Sequence, residues 1–155
     1  MVRLLKARPQ DAEALAQVSK RAFDDDVNVG SPGTGGPPGY DLPGWQAAMM
    51  RRAEAYYKIV HEGEIVGGAI VFRPGPGHYH LGRIFVEPAL HRRGIGTQAC
   101  ALLWRAYPLA RRWTLETPVW NRRTQSFYEK LGFVRVGESA EGVSYERTMG
   151  RAASR

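Results

Sequence analysis

With a single cysteine, Cys100, this 155-residue chain cannot form an internal disulfide or a cysteine-rich metal site. No stretch approaches the ~20 consecutive apolar residues of a membrane span. The opening MVRLLKARPQD lacks the apolar core of a secretion signal. The expectation is a soluble, cytoplasmic protein with no membrane partner. Among four histidines, His78 and His80 stand close together, yet no third ligand lies nearby in sequence to complete a metal site. Acidic residues are outnumbered, 15 against 22 basic, which leaves a formal net charge of +7. A basic surface attracts phosphorylated small molecules and nucleic acid alike, so charge alone excludes neither.

What is present reads as one ordinary globular domain, with 43% hydrophobic and 24% charged residues. A chain of this length buries roughly 70% of its unfolded surface. The domain is expected over residues 1–150, with a frayed basic tail at 151–155. The organising stretch is LGRIFVEPALHRRGIGTQACALLWRAY, residues 81–107. Its first six residues are apolar, β-branched or aromatic apart from Gly82 and Arg83, and read as the end of a strand. Pro88 then stops the ladder, since it has no amide hydrogen to donate. Around and beyond Gly96, apolar residues recur at helical spacing: Ile95, Ala99, Leu102, Leu103 and Ala106. Between the two lies a short loop of small and basic residues. At a helix start several N–H groups have no intrahelical acceptor and positive potential gathers there, so the loop suits an anionic, phosphate-bearing ligand.

Three phosphate loops compete for this stretch. A nucleotide-triphosphate loop needs Lys-Ser/Thr after its second glycine, which is absent. A dinucleotide fingerprint is matched by Gly94, Gly96 and Ala99, with Glu116 about 20 residues on. That fingerprint, however, requires the strand to run straight into the first glycine, and here residues 87–93 intervene. The third fits best. Strand, Glu-Pro, basic run, Gly-x-Gly and helix together resemble the coenzyme A loop of the GNAT (Gcn5-related) N-acetyltransferases, whose pattern is Gln/Arg-x-x-Gly-x-Gly/Ala. In this chain it reads His91-Arg92-Arg93-Gly94-Ile95-Gly96, with His at the first position. A second match, NRRTQSFYEKLGF at 121–133, resembles that family's N-x-x-A-x-x-F-Y-x-K-x-G-F, with Thr124 in place of Ala. The direct resemblance covers residues 83–133, about a third of the chain.

The remaining residues supply elements in a consistent order. Residues 2–7 suit a first strand, and Leu15, Val18, Ala22 and Phe23 give the following helix an apolar stripe. Residues 24–44 hold six glycines and four prolines and read as a long loop without regular structure. A short helix follows at 45–55, then strands at 56–60 and 64–72 joined by the His61-Glu62-Gly63 turn. After the long helix come a strand at 112–116, a helix at 121–131 and a closing hairpin of strands at 133–136 and 143–148. The fold class is mixed α/β (α+β): six to seven strands flanked by about four helices. The resemblance identifies this as the acyl-CoA N-acyltransferase fold, in which the central strand and the 112–116 strand run parallel and splay apart.

The resemblance implies acetyl-CoA as donor and an amine of a small molecule or peptide as acceptor, joined by direct attack. The cofactor cradle falls on His91, Arg92, Arg93, Gly94, Ile95, Gly96 and Thr97, and alignment of the thioester on the backbone of Ile84, Phe85 and Val86. Tyr128 is the candidate acid, since a phenol stays protonated at neutral pH; its alternative is a packing role beside Phe127. Asn121 would hold the pantetheine arm, cap its helix, or do both. Strand alternation puts His80, Gly82, Ile84 and Val86 on one face. His80 is the first candidate base and Glu116 the second. Asp24, Asp25, Asp26 and Tyr40 would line the acceptor site, or the acids form a solvated turn. Cys100, mid-helix, is read as a small buried hydrophobe and a poor nucleophile. A non-catalytic acyl-CoA-binding module and a nucleic-acid-binding protein are the rival classes. The latter is disfavoured by the absence of a basic recognition helix. A homodimer is compatible with this reading.

Overall fold

Prolines and acidic residues mark where the helices begin. In the computed structural model, which describes residues 1–150, Pro9 opens a 3-10 turn that leads into α1 (Ala12–Asp24). The Arg8 amide donates to Asp11 Oδ2 at 2.8 Å and secures that start. Pro43 occupies the first turn of α2 (Pro43–Arg52), where its missing N–H is not needed. The strands are β1 (Val2–Lys6), β2 (Ala55–His61), β3 (Glu64–Gly75), β4 (His78–Val86), β5 (Arg112–Thr117), β6 (Val134–Glu138) and β7 (Val143–Thr148). They form one seven-stranded sheet in the order β1-β2-β3-β4-β5-β7-β6. All pairs are antiparallel except β4 with β5.

Helices cover both faces. On one, Leu15, Val18 and Ala22 of α1 pack with Tyr56, Ile70 and Phe85, and α2 adds Trp45 and Met49. On the other lie α3 (Ile95–Ala106) and α4 (Arg122–Lys130). There Leu103 and Tyr128 pack with Leu81, Trp113, Leu115 and Tyr145. Each fully buried Leu or Ile of such a core contributes about 1.5–3 kcal/mol. No helix among the described residues is long and apolar enough to cross a membrane. The tail expected at 151–155 lies outside the described residues.

The segment expected to be structureless is more ordered than its composition implies. α1 runs on to Asp24, and a 3-10 helix follows at Asp25–Val29. The reason is a long-range contact: Arg123 of α4 reaches Asp25 Oδ2 at 3.3 Å and Asp26 Oδ1 at 3.2 Å.

Candidate active site

Inside the sheet there is a gap. β4 and β5 pair at three positions, His78 with Arg112, Tyr79 with Trp113 and His80 with Thr114. β4 then continues six residues to Val86 and β5 three to Thr117 without further pairing. The divergence begins at a bulge. Ile70 and Val71, adjacent in β3, face Arg83 and Leu81, so Gly82 is an extra residue in β4.

The bulge corrects the face assignment made from simple alternation. Tyr79 and Leu81 pack toward Trp113 and α3, so His78 and His80 face the α1/α2 side. Beyond Gly82 the order inverts. Phe85 packs with α1, and the Arg83 guanidinium lies over Trp45 of α2. Ile84 and Val86 now pack on the α3 side with Ile95 and Ala99. His80 therefore shares a face with Arg83 and Phe85, not with Ile84 and Val86. The Phe85 carbonyl is directed at β3, against Gly67, and the Glu87 amide donates to Val66 at 2.7 Å. By the alternation of an antiparallel ladder, the backbone groups of Ile84 and Val86 are the ones turned to the gap.

At the mouth of the gap, Pro88–Leu90 form a 3-10 turn and the chain bends into α3. Arg92 has φ 69° and Gly94 φ 76°, two left-handed residues on either side of Arg93. For arginine this conformation costs about 1–2 kcal/mol, the kind of local strain that collects at binding sites. Alternating hands turn successive amides toward one point. Apart from Arg93, whose amide closes the turn at His91–Arg92, none of the N–H groups of residues 92–97 has an acceptor among the described residues, whereas the His91 amide donates to Pro88 at 3.1 Å. The amides open to a ligand are thus those of Arg92 and residues 94–97, and the His91 amide is not among them. His91 serves the loop differently. Its Nε2 donates to the Val86 carbonyl at 2.9 Å and ties the loop to the strand end. Its imidazole is turned inward.

Across the gap stands α4. Asn121 is buried and its Oδ1 accepts from the Thr124 amide at 3.1 Å, an N-cap. Thr124 Oγ1 lies 2.5 Å from Thr117 Oγ1, which fixes the helix to β5. Tyr128 is 7% exposed, edge-on to Phe127 and Phe133 at centroid distances of 5.2 and 5.7 Å. Its hydroxyl makes no hydrogen bond among the described residues. Burial holds its phenol well above the ordinary value, with the nearby Cys100 adding to the shift. Cys100 itself is fully buried, and its thiol is pushed up to about 12.

On the opposite face a hydrogen-bonded chain leads to His80. Thr114 Oγ1 lies 2.8 Å from both His80 Nδ1 and His78 Nε2, and Arg112 Nη2 lies 3.2 Å from His78 Nδ1. An arginine can only donate, so His78 Nδ1 accepts and its Nε2 carries the proton. That proton points to Thr114, whose own hydrogen goes to His80 Nδ1, leaving His80 protonated at Nε2. Burial lowers the His80 pKa, Glu116 opposes the shift and His78 reinforces it. Glu116 accepts from Ser144 Oγ at 3.3 Å.

The acids of the 24–26 cluster all have partners. Asp24 pairs with Lys20 at 2.6 Å and accepts from the Tyr40 hydroxyl at 2.8 Å. Asp25 and Asp26 hold Arg123. Burial raises Asp26 to about 6, against the pull of Arg123. Among the described residues no group of three or more His, Cys, Asp or Glu is placed to hold a metal ion.

A model of the Acetyltransferase (GNAT) family matches residues 20–133. The chain belongs to the GNAT acetyltransferase family. The uncharacterized protein YrkN of Bacillus subtilis (strain 168) is 35% identical over 79 residues, 50% of this chain but 43% of that protein. The match thus spans less than half of that curated relative. Among solved structures, the PaiA N-acetyltransferase of Thermoplasma acidophilum in complex with coenzyme A superimposes with a TM-score of 0.78 at 14% identity, covering 96% of this chain and 99% of that one. An acetyltransferase from Thermus thermophilus gives 0.80 at 19% identity, with 96% and 97% covered. At such identities the likeness is one of fold. Sequence reasoning placed the GNAT loop and α4 but overlooked Arg83, Thr114 and the role of His78. The pair of polar residues two apart on β4, His78 and His80, was the available signal for the last.

Proposed function

We propose that this GNAT protein is an N-acetyltransferase that moves acetyl from acetyl-CoA to an amine by direct attack. The observation that carries the reading is the set of acceptor-free amides at Arg92 and 94–97, opening onto the gap between β4 and β5. Acetyl-CoA, when bound, supplies the acetyl group as a thioester. Those amides would take its diphosphate, with the Arg92 and Arg93 side chains at the rim. Gly94 keeps that surface free of a Cβ atom, while the absent Cβ of Gly96 makes room for the Phe127 ring of α4. The backbone of Ile84 and Val86 would pair with the pantetheine amides as an added strand, although the Val86 carbonyl is shared with His91. With Asn121 Oδ1 committed to its cap, the side-chain amide nitrogen is what remains for that arm.

Tyr128 is the acid in this reading. Its raised pKa keeps the proton available until the C–S bond breaks and the leaving sulfur takes it, while the new N–C bond forms. His80 is the base. As arranged, the chain from Arg112 to His80 is the state reached after a proton has passed through it. In the reverse order, reached only when Arg112 turns away from His78 Nδ1, His80 carries Nδ1–H toward Thr114 and offers Nε2 to the amine. A proton taken there is balanced by one leaving His78 Nδ1 to solvent, and the chain ends as observed. Glu116, Asp24 and Tyr40 would border the acceptor. With Cys100 buried and its thiol raised to about 12, a covalent acetyl-cysteine route has no support.

Titration calorimetry with acetyl-CoA, alongside a thiol-release screen over amines, antibiotics and peptide N-termini, tests the reading. Binding together with acceptor-dependent thiol release is expected. Binding without release from any acceptor would instead fit an acyl-CoA-binding module, and no binding would remove the cradle.

A further inference from the structure

On the α1/α2 face, just past the bulge from His80, Arg83 is held in an unusual setting. Its guanidinium carbon lies 3.9 Å from the centre of the Trp45 ring, a cation–π stack. Nη2 donates to the Pro38 carbonyl at 2.7 Å, and Nη1 is buried with no hydrogen-bond partner. No carboxylate pairs with it among the described residues. The acids of α1, of the turn after it and of the end of β4 have other partners: Asp24 pairs with Lys20, Asp25 and Asp26 with Arg123, and Glu87 with Arg21 at 2.7 Å. Desolvation lowers the guanidinium to about 10, so it is still a cation at neutral pH.

The surroundings are built rather than incidental. Gly39, at φ 76°, lies flat against Trp45, and a Cβ there would overlap the ring. Gln46 is buried; its Nε2 donates to the carbonyls of Gly39 at 3.0 Å and Tyr40 at 3.3 Å, and its Oε1 accepts from the Tyr56 hydroxyl at 2.5 Å. Residues 37–40 thereby fix Trp45, and Trp45 fixes Arg83. Keeping a half-buried cation without a counter-ion is unfavourable, and an orphaned N–H adds to that cost. Both are relieved if an anion arrives.

We infer that the acceptor carries a carboxylate that pairs with Arg83, an amino-acid-like amine rather than a polyamine or an uncharged amine. The inference rests on the acetyl-transfer reading for the fate of the amine, which would meet His80 on the same face. The carboxylate would take Nη1 and displace the Pro38 carbonyl from Nη2, a bidentate pair, as Pro38 moves aside while Gln46 keeps Gly39 and Tyr40 in place.

Two measurements separate this inference from the reading beneath it. In thiol-release assays the twenty L-amino acids are compared with their amides. The ratio kcat/KM should favour the acids by about tenfold or more, and Arg83→Gln should abolish that preference. Saturation-transfer NMR with N-acetyl-L-amino acids and their amides reads binding without catalysis. The acids should show saturation in the wild type and lose it in Arg83→Gln. Arg83→Lys, which keeps the charge without the fork, should fall between and serves if the Gln variant does not fold. Arg83-dependent saturation without any thiol release supports the anion site and removes the transfer reading. Thiol release that is equal for acids and amides, or unchanged by Arg83→Gln, overturns the inference and leaves the transfer reading intact. Absence of both signals from the acids also overturns it.

Discussion

Replacing Gly94 by alanine and by glutamate separates the shape of the cradle from its charge. Gly94 sits at φ 76°, where any L-residue is strained by about 1–2 kcal/mol, so both variants should be less stable than wild type. A Cβ there meets nothing closer than Gln98 Nε2 at 3.7 Å, so neither variant clashes. Glutamate at the start of α3 should recover about 0.3–1 kcal/mol through the helix dipole, giving it a melting temperature at or above that of alanine. Affinity should move the other way. A carboxylate about 5 Å from a phosphate charge, at an effective dielectric near 20, opposes binding by about 3 kcal/mol, and solvent at this exposed position trims that. The expected loss is about 10–100-fold in Kd for glutamate and less than about threefold for alanine. Titration calorimetry with coenzyme A at low and at high salt reads both numbers, and the glutamate penalty should shrink as salt screens it. If the two variants bind alike, or the glutamate effect ignores salt, the amides of Arg92 and 94–97 are not the diphosphate site.

Tyr128→Phe removes a hydroxyl with no hydrogen bond among the described residues, so stability and coenzyme A affinity should hold while kcat drops at least about tenfold; an unchanged rate would dismiss Tyr128 as the acid. Thr114→Val cuts the chain between His78 and His80 and should lower kcat/KM about tenfold at pH 7 with little change in donor affinity, visible in steady-state kinetics. The His80 pKa is depressed, and a base must be neutral, so the rate should rise with pH to a plateau already reached at neutrality. The same depression makes His80 a source of stability that is lost as pH falls below the ordinary histidine range. Asp26 has the opposite sign: raised from 3.8 to about 6, it favours the folded state when protonated, and that benefit is lost as pH climbs between those values. At 1.36 kcal/mol per pH unit the span is about 3 kcal/mol. Asp26→Asn should therefore gain stability on wild type progressively from about pH 4 to about pH 6 and keep that gain above it by denaturant unfolding, less whatever the Arg123 pair contributes.

The cradle and α4 were legible because their information is local. Gly94, Gly96 and the basic run mark a helix start whose amides lack acceptors, and Asn121 caps the helix that carries Tyr128. The family model matching 20–133 agrees with the family resemblance that these two motifs carry. The acidic run at 24–26 was legible only as charge. Its partner, Arg123, is 97 positions from Asp26, and no short-range pattern announces the pair. Gln46 pins Gly39 and Tyr40 from only seven and six positions away, whereas the contact that makes this Gly/Pro stretch a wall beside Arg83 spans 45 positions and was hidden in the same way.

Composition, periodicity and two motifs were enough to determine the class of fold, the order of its elements and the loop that suits a phosphate. Side-chain facing was another matter. One extra residue, Gly82, becomes a bulge only when β4 pairs with β3, and that pairing sends His80 and Arg83 to one side and Ile84 and Val86 to the other. Alternation along a strand is a rule about the chain by itself, whereas register is a property of two strands together, so the tertiary structure alone decided which side chains share a face.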